Sequence, residues 1–312
     1  MKKKIKVYLS FILLAFLLLL FSIKLIDKLV FEYTGLGDPV IYRYSKIYGY
    51  DLMPNQKIKR LGNNIIINNL GMRSSLDWDK NSKNNILFIG DSIPYGGSVV
   101  SNKDLYAEKT CNHVSLDGKK NFICGNMSAN GYGLFSINER IKYKEINNEK
   151  ILIITLAGSN FIRGFNHIGN QPFWGKPINN FFPATTELFF IYLDKIRNNF
   201  KYEFGEENIY STTKKKYYTN LMLDFKKTLD DYNKPYIIFY SPEYSEINEK
   251  QKYSFFKNFM KNNFEDFHDL TDSIKDQKEK IYSDHVHLNQ YGHEIYSKII
   301  AKFIEQKLNI ND

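Results

Sequence analysis

From Asn84 onward the chain repeats one pattern, a short apolar run of strand length followed by a longer amphipathic stretch. The runs are NILFIG (85–90), NFICGN (121–126), KILIITLAG (150–158), KPYIIFYSP (234–242) and DFHDL (266–270). A short run with no polar face has to be covered on both sides, and consecutive parallel strands need a crossover, usually helical, between them. The pattern therefore predicts a three-layer α/β/α sandwich around a central parallel sheet. A chain of 312 residues with 43% hydrophobic and 16% aromatic residues has the surface such a core must bury, and wholesale disorder is excluded.

Residues 7–23, VYLSFILLAFLLLLFSI, carry no charge. As a helix they would cover roughly 26 Å of a hydrocarbon layer about 30 Å thick, and the flanking Lys6 and Lys24 can snorkel over the remainder. The following KLIDKLVFEYTG lacks the small-residue pattern of a cleavage site, so residues 1–30 read as an uncleaved signal anchor, one transmembrane helix with a Lys-rich tip. Four lysines among the first six residues keep that tip in the cytoplasm and send the body across, to the periplasmic or extracellular side, with the bilayer as the partner of this segment. A buried core helix is the competing reading of such uniform apolarity.

Charge follows the same division. Of the net +9, the first 30 residues hold +5, from six lysines and Asp27, and only six of the 43 basic residues are arginine. Phosphate and base-edge recognition favours the guanidinium fork, and no nucleic-acid motif is present, so nucleic acid is not an expected partner. Two cysteines exclude a disulfide framework and a zinc finger. Outside the cytoplasm Cys111 and Cys124 could pair; equally, Cys124 could be a small buried hydrophobe in its strand.

Between anchor and sheet, residues 31–83 hold short extended pieces broken by Gly, Pro and Asn, a small β-rich elaboration. The main domain runs over 84–312, with an insertion at about 163–212 after the third apolar run. There, 163–180 is loop-like and 187–199 helical; a long amphipathic helix is expected over 213–232. An insertion at the carboxyl end of a parallel strand lies where ligands bind in open α/β sheets. Phe173 and Trp174 are placed either to line such a cleft or to fasten the loop to the surface.

The first apolar run ends in ILFIGDSIPYGG. A serine directly after a buried strand, flanked by glycines, stands where a helix begins and where N–H groups favour negative charge. Ser92 is thus a candidate nucleophile, although a helix-capping serine looks the same locally. Near the carboxyl end, YSDHVHLNQYGHEIYS puts Asp284 three residues before His287. A serine nucleophile needs a base, and the base needs a partner that fixes its tautomer; a D-x-x-H loop supplies both. His285 and His293 are weaker candidates. Charge developing on a carbonyl oxygen requires preorganised donors, and two further strand ends offer them, Gly131 in NMSANGYG and Asn160 in LAGSNFIRG.

Taken in order, GDSIPYGG, NMSANGYG, GSN and DHVH resemble the four blocks of the SGNH (GDSL-like) hydrolase superfamily, over residues 84–308. The resemblance implies Ser92 as nucleophile, His287 and Asp284 as its catalytic partners, and Ser92, Gly131 and Asn160 as the oxyanion hole. Two departures are visible: Phe161 stands where an Asp often follows the asparagine, and Leu288 where a Pro often follows the histidine. The upstream IINNLGMRSS is similar to an N-x-x-G-x-R stretch of cell-envelope members. The expected function is a membrane-anchored serine esterase acting on acyl groups, O-acetyl above all, of envelope or secreted polysaccharide, with no metal or organic cofactor. Its rivals are an O-acyltransferase using the same acyl-serine, a lipase, and a catalytically silent glycan-binding or assembly protein on the same fold.

Overall fold

The computed structural model describes residues 2–118, 122–165, 180–201, 212–247, 249 and 253–308. Helix α1 (Lys2–Thr34) contains the uncharged run, and Ile5–Thr34 is long and apolar enough to cross a membrane. Two antiparallel hairpins follow, β1 (Tyr42–Ser45) with β2 (Gly49–Leu52) and β3 (Gln56–Arg60) with β4 (Asn63–Ile67).

The main domain then alternates as its sequence pattern predicts. Strand β5 (Asn85–Ile89) leads into the short helix α2 (Ser92–Tyr95), followed by α3 (Tyr106–Gly118), β6 (Ile123–Asn126), α4 (Leu134–Lys142) and β7 (Glu149–Leu156). After β7 come α5 (Gly158–Ile162), α6 (Pro183–Lys201) and α7 (Thr212–Tyr232), then β8 (Tyr236–Tyr240), α8 (Ser254–Asn263) and β9 (Phe267–Asp269). The short α9 (Thr271–Ile274) and α10 (Lys278–Ile281) precede the final helix α11 (Gln290–Leu308).

The five main-domain strands are all parallel, in the order β6-β5-β7-β8-β9. Their side chains alternate between two cores, the period-2 consequence of a sheet covered on both faces. Leu87, Ile89, Leu152, Ile154, Ile238 and Tyr240 face one core with residues of α4, α7 and α8. Ile86, Phe88, Ile151, Ile153, Ile237 and Phe239 face the other, with α3 and α11. The hairpins join the first core through Tyr42, Tyr50, Leu52, Ile65 and Ile67. Cys111 on α3 and Cys124 on β6 are bonded to each other and pack in the second core, so both readings of these residues hold together.

The chain runs from β5 outward to β6, then returns to the other side of β5 as β7. This reversal is the switch point at which open α/β sheets bind ligands beyond their carboxyl ends. Ser92 follows β5 there and Asn160 follows β7. Phe173 and Trp174 lie outside the described residues.

Candidate active site

Gly90 and Asp91 make the turn that presents Ser92. A Cβ on Gly90 would stand 2.6 Å from both the Pro94 ring and the Thr155 carbonyl, so only glycine lets β5 pass this close to its neighbours. The Asp91 side chain accepts from the Ile93 N–H at 2.9 Å, capping α2. Ser92 is therefore the first residue of that helix, and its own N–H has no intrahelical acceptor.

The Ser92 hydroxyl lies 2.9 Å from His287 Nε2, across 195 positions of sequence, and His287 Nδ1 lies 2.7 Å from Asp284 Oδ2. The other oxygen of Asp284 accepts from the N–H groups of Val286 and His287, at 2.8 and 2.7 Å. Partial burial pushes the Asp284 carboxyl up, but the His287 ring and these two N–H groups outweigh it and hold it well below the usual carboxylate range. An ionised Asp284 can only accept, so Nδ1 carries the imidazole proton and the Nε2 lone pair faces the Ser92 hydroxyl.

The 284–287 loop is held from several sides. Ser283 N–H donates to the His287 carbonyl at 2.8 Å, Tyr282 pairs with Leu288, and Tyr244 N–H donates to the His285 carbonyl at 2.9 Å. Leu288, at one of the two departures, is buried in the second core and anchors the loop by packing. His285 is exposed. His293 is wholly buried on α11, its Nδ1 accepts from the Tyr106 N–H at 3.2 Å, and burial lowers its pKa to about 3, so it stays neutral.

Asn160 is buried at the start of α5. Its amide nitrogen donates to Asp91 Oδ2 at 2.9 Å and to the Tyr132 carbonyl at 2.8 Å, while its oxygen accepts from Ala157 N–H. Both amide protons are thus engaged, joining the turn that carries Ser92 to the loop that carries Gly131. Gly131 has φ +77°, a left-handed conformation that favours glycine, so the chain turns here without strain. Phe161, at the second departure, stacks on Phe256 of α8 with ring centroids 4.7 Å apart, taking a core position.

Three groups at the site were not singled out by sequence. Arg163 Nη1 lies 2.9 Å from Asp91 Oδ2 and also reaches the Tyr132 carbonyl, placing a part-exposed cation beside the turn that carries Ser92. Its signal was its spacing, since it caps the short helix α5 three positions after Asn160, one turn on and on the same side. Tyr50 donates its hydroxyl to the Asn130 carbonyl, and Tyr132 donates to the Tyr50 carbonyl, so hairpin β1–β2 braces the Gly131 loop. The N-x-x-G-x-R stretch does similar work for the other loop. Asn68 Oδ1 accepts from Leu70 and Met72 N–H, and the fully buried Arg73 donates to the carbonyls of Tyr95, the last residue of Ser92's helix, and of Gly97 and Val100 beyond it.

No protein-family model matches this chain, and no curated protein matches it. Among solved structures it is similar to the psychrotrophic esterase EstA from Pseudoalteromonas sp., at 14% identity over 72% of this chain and 99% of that one, with a TM-score of 0.43. It is also similar to a lipase/acylhydrolase from Enterococcus faecalis, at 13% identity over 71% of this chain and 95% of that one, TM-score 0.45. A third is the salicylyl-acyltransferase SsfX3 of a tetracycline biosynthetic pathway, at 12% identity over 75% of this chain and 57% of that one, TM-score 0.38. The likeness is one of fold; the chemistry of this site rests on the geometry of Ser92, His287 and Asp284.

Proposed function

We propose that the protein is a membrane-tethered serine esterase of the SGNH type, which removes acyl groups, O-acetyl above all, from envelope or secreted polysaccharide. The observation that carries the reading is the continuous relay from the Ser92 hydroxyl through both nitrogens of His287 to an ionised Asp284. A serine that only capped a helix would need no imidazole so aligned and so fixed in tautomer.

In this mechanism the Ser92 oxygen attacks the ester carbonyl carbon as its proton passes to His287 Nε2, and Asp284 stabilises the imidazolium. The negative charge that develops on the carbonyl oxygen is met by the N–H groups of Ser92 and Gly131, joined by the Asn160 amide when it gives up one of its present acceptors. Collapse of the adduct breaks the bond to the sugar oxygen, which takes the proton from Nε2. Water, deprotonated by the same nitrogen, then attacks the acyl-serine, releasing the acid and restoring the hydroxyl. The anchor supports an extracytoplasmic polymer as substrate, because a helix like α1 holds the domain at a membrane surface.

A fluorophosphonate probe should label Ser92 in the purified full-length chain, and Ser92→Ala should abolish both labelling and release of acetate from acetylated glycan. Labelling that persists in Ser92→Ala, or a wild-type serine that never reacts, refutes the assignment and leaves a binding protein on this fold. Accumulation of newly acetylated glycan with no free acetate would instead make the protein a transferase through the same acyl-serine.

A further inference from the structure

Helix α6, within the insertion after β7, exposes six consecutive apolar residues, LFFIYL at 188–193, each between 38% and 62% accessible. At 100° per residue, six successive positions go round the whole helix. A helix apolar on every side belongs in a protein core or in lipid, and this stretch is not in the core. A second copy of the chain would bury one face and leave the others apolar in water.

What lies beside α6 is the anchor. Asp27, 3% exposed and only four positions past the uncharged run, accepts from the Thr185 N–H at 2.8 Å and hydroxyl at 2.6 Å. Lys24, the first charge after that run, lies 3.8 Å from Asp27, donates to the Phe181 carbonyl at 2.7 Å and sits 4.9 Å from the Phe181 ring centroid. Lys24 and Asp27 are thus engaged by the start of α6 and the residues just before it, while Lys28 and Glu32 farther along α1 stay exposed and lie 3.7 Å from each other. The same helix is tied to the body through Glu187, which accepts from the Gly37 N–H at 2.6 Å and pairs with the buried Arg60. Along α1 itself Leu25, Leu29 and Phe31 remain exposed beyond Lys24, extending the apolar surface toward the body.

We infer that α6 is a second membrane-contacting element, seated in the interfacial layer against α1 so that lipid covers residues 188–193. This rests on the reading of α1 as an anchor. Six residues of helix span about 9 Å, too short to cross a hydrocarbon layer about 30 Å thick, so the stretch can touch lipid without spanning it. Two contacts in place of one swivel fix the height and tilt of the domain, so the rim bearing Ser92 keeps a constant attitude to the membrane and meets glycan held close to that surface.

The test uses the full-length chain in phosphatidylcholine–phosphatidylglycerol vesicles. The native cysteines are bonded to each other, so Phe189→Cys carries the one reactive thiol for an environment-sensitive NBD label. Leu14→Cys reports on the anchor, Leu76→Cys on the exposed surface of the body, and Tyr192→Cys repeats the reading on another side of α6. The labels at 189 and 192 should be blue-shifted and quenched by doxyl lipids at least half as strongly as the label at 14, with the label at 76 unaffected. If 189 and 192 behave like 76 while 14 reads lipid, the inference is overturned and the anchor stands. If 14 also reads water, the anchor reading falls and takes the inference with it. A blue shift at 189 that doxyl lipids leave unquenched, with self-quenching between labelled copies, would assign the surface to a second copy and overturn the inference.

Discussion

With both amide protons of Asn160 donated, to Asp91 Oδ2 and to the Tyr132 carbonyl, this one side chain holds together the two turns that flank Ser92. Asn160→Ala leaves the buried Tyr132 carbonyl and the Asp91 carboxylate each one donor short, and should lower stability in denaturant melts by about 1–3 kcal/mol. If the amide also meets the oxyanion, kcat on a short ester should fall about 10²- to 10³-fold; loss of stability with full kcat would make Asn160 a tie alone. Asp284→Asn tests the other end of the relay. An amide can donate to Nδ1 and so favour the wrong tautomer, and kcat should drop by about 10³–10⁴ with KM little changed. An unaltered kcat would mean that His287 is oriented without its carboxylate. Ser92, Asp284 and His287 were legible because each sits in a contiguous motif whose chemistry is local. Arg163, Tyr50 and Tyr132 were not, since their contacts close across about 70 to 80 positions and nothing beside them in sequence marks the partner.

Among the elements, the turn after β8 shows how a buried carboxyl can tune the support of the site. Glu246 is fully buried, accepts from the Tyr240 hydroxyl at 2.5 Å and the Glu243 N–H at 2.9 Å, and its turn also gives the Tyr244 N–H that holds the His285 carbonyl. Burial raises its pKa to about 7, with Glu243 adding to the rise, while Tyr240, the Glu243 N–H and Lys257 of α8 oppose it. An acid whose folded pKa is raised binds its proton more tightly when folded, so stability is greatest below its ordinary 4.5 and declines as pH climbs through about 7. Relative to Glu246→Gln, the wild type should lose about 3 kcal/mol across that window in melts at fixed pH steps. His293 slopes the other way, gaining stability as pH rises from about 3 toward 6.5, which is why the difference between the two proteins, not the wild-type curve, is the measurement. A flat difference would mean that Glu246 is ionised in the fold throughout. The strands were readable from apolar run length, and β5, β7 and β8 fall within a residue or two of those runs. Their order was not readable, because a buried strand is apolar on both faces and its sequence names no neighbour.

For the molecule as a whole, the hairpins at 31–83 share one hydrophobic core with the parallel sheet, and their most buried polar group, Arg73, reaches into the loop behind Ser92. Burial lowers the guanidinium's pKa, and no carboxylate pairs with it among the described residues; three carbonyls and Asn102 Oδ1 solvate it. That arrangement needs the planar fork, because an ammonium with three donors on a single nitrogen cannot aim at three carbonyls and a side-chain amide at once. Arg73→Lys should therefore cost about 2–4 kcal/mol in a denaturant melt. Loosening of the 95–100 loop should displace the Ser92 helix slightly, and misplacement of about 1 Å can cost as much as 10² in rate. The rates of ester turnover and of fluorophosphonate labelling should fall in parallel, because in the proposed mechanism both begin with the same attack by Ser92. Leu76→Ala, an exposed change in the same region, should alter neither. If Arg73→Lys loses stability while its labelling rate stays at the wild-type value, the elaboration supports the fold but not the placement of Ser92, and the coupling argued from those three carbonyls is wrong.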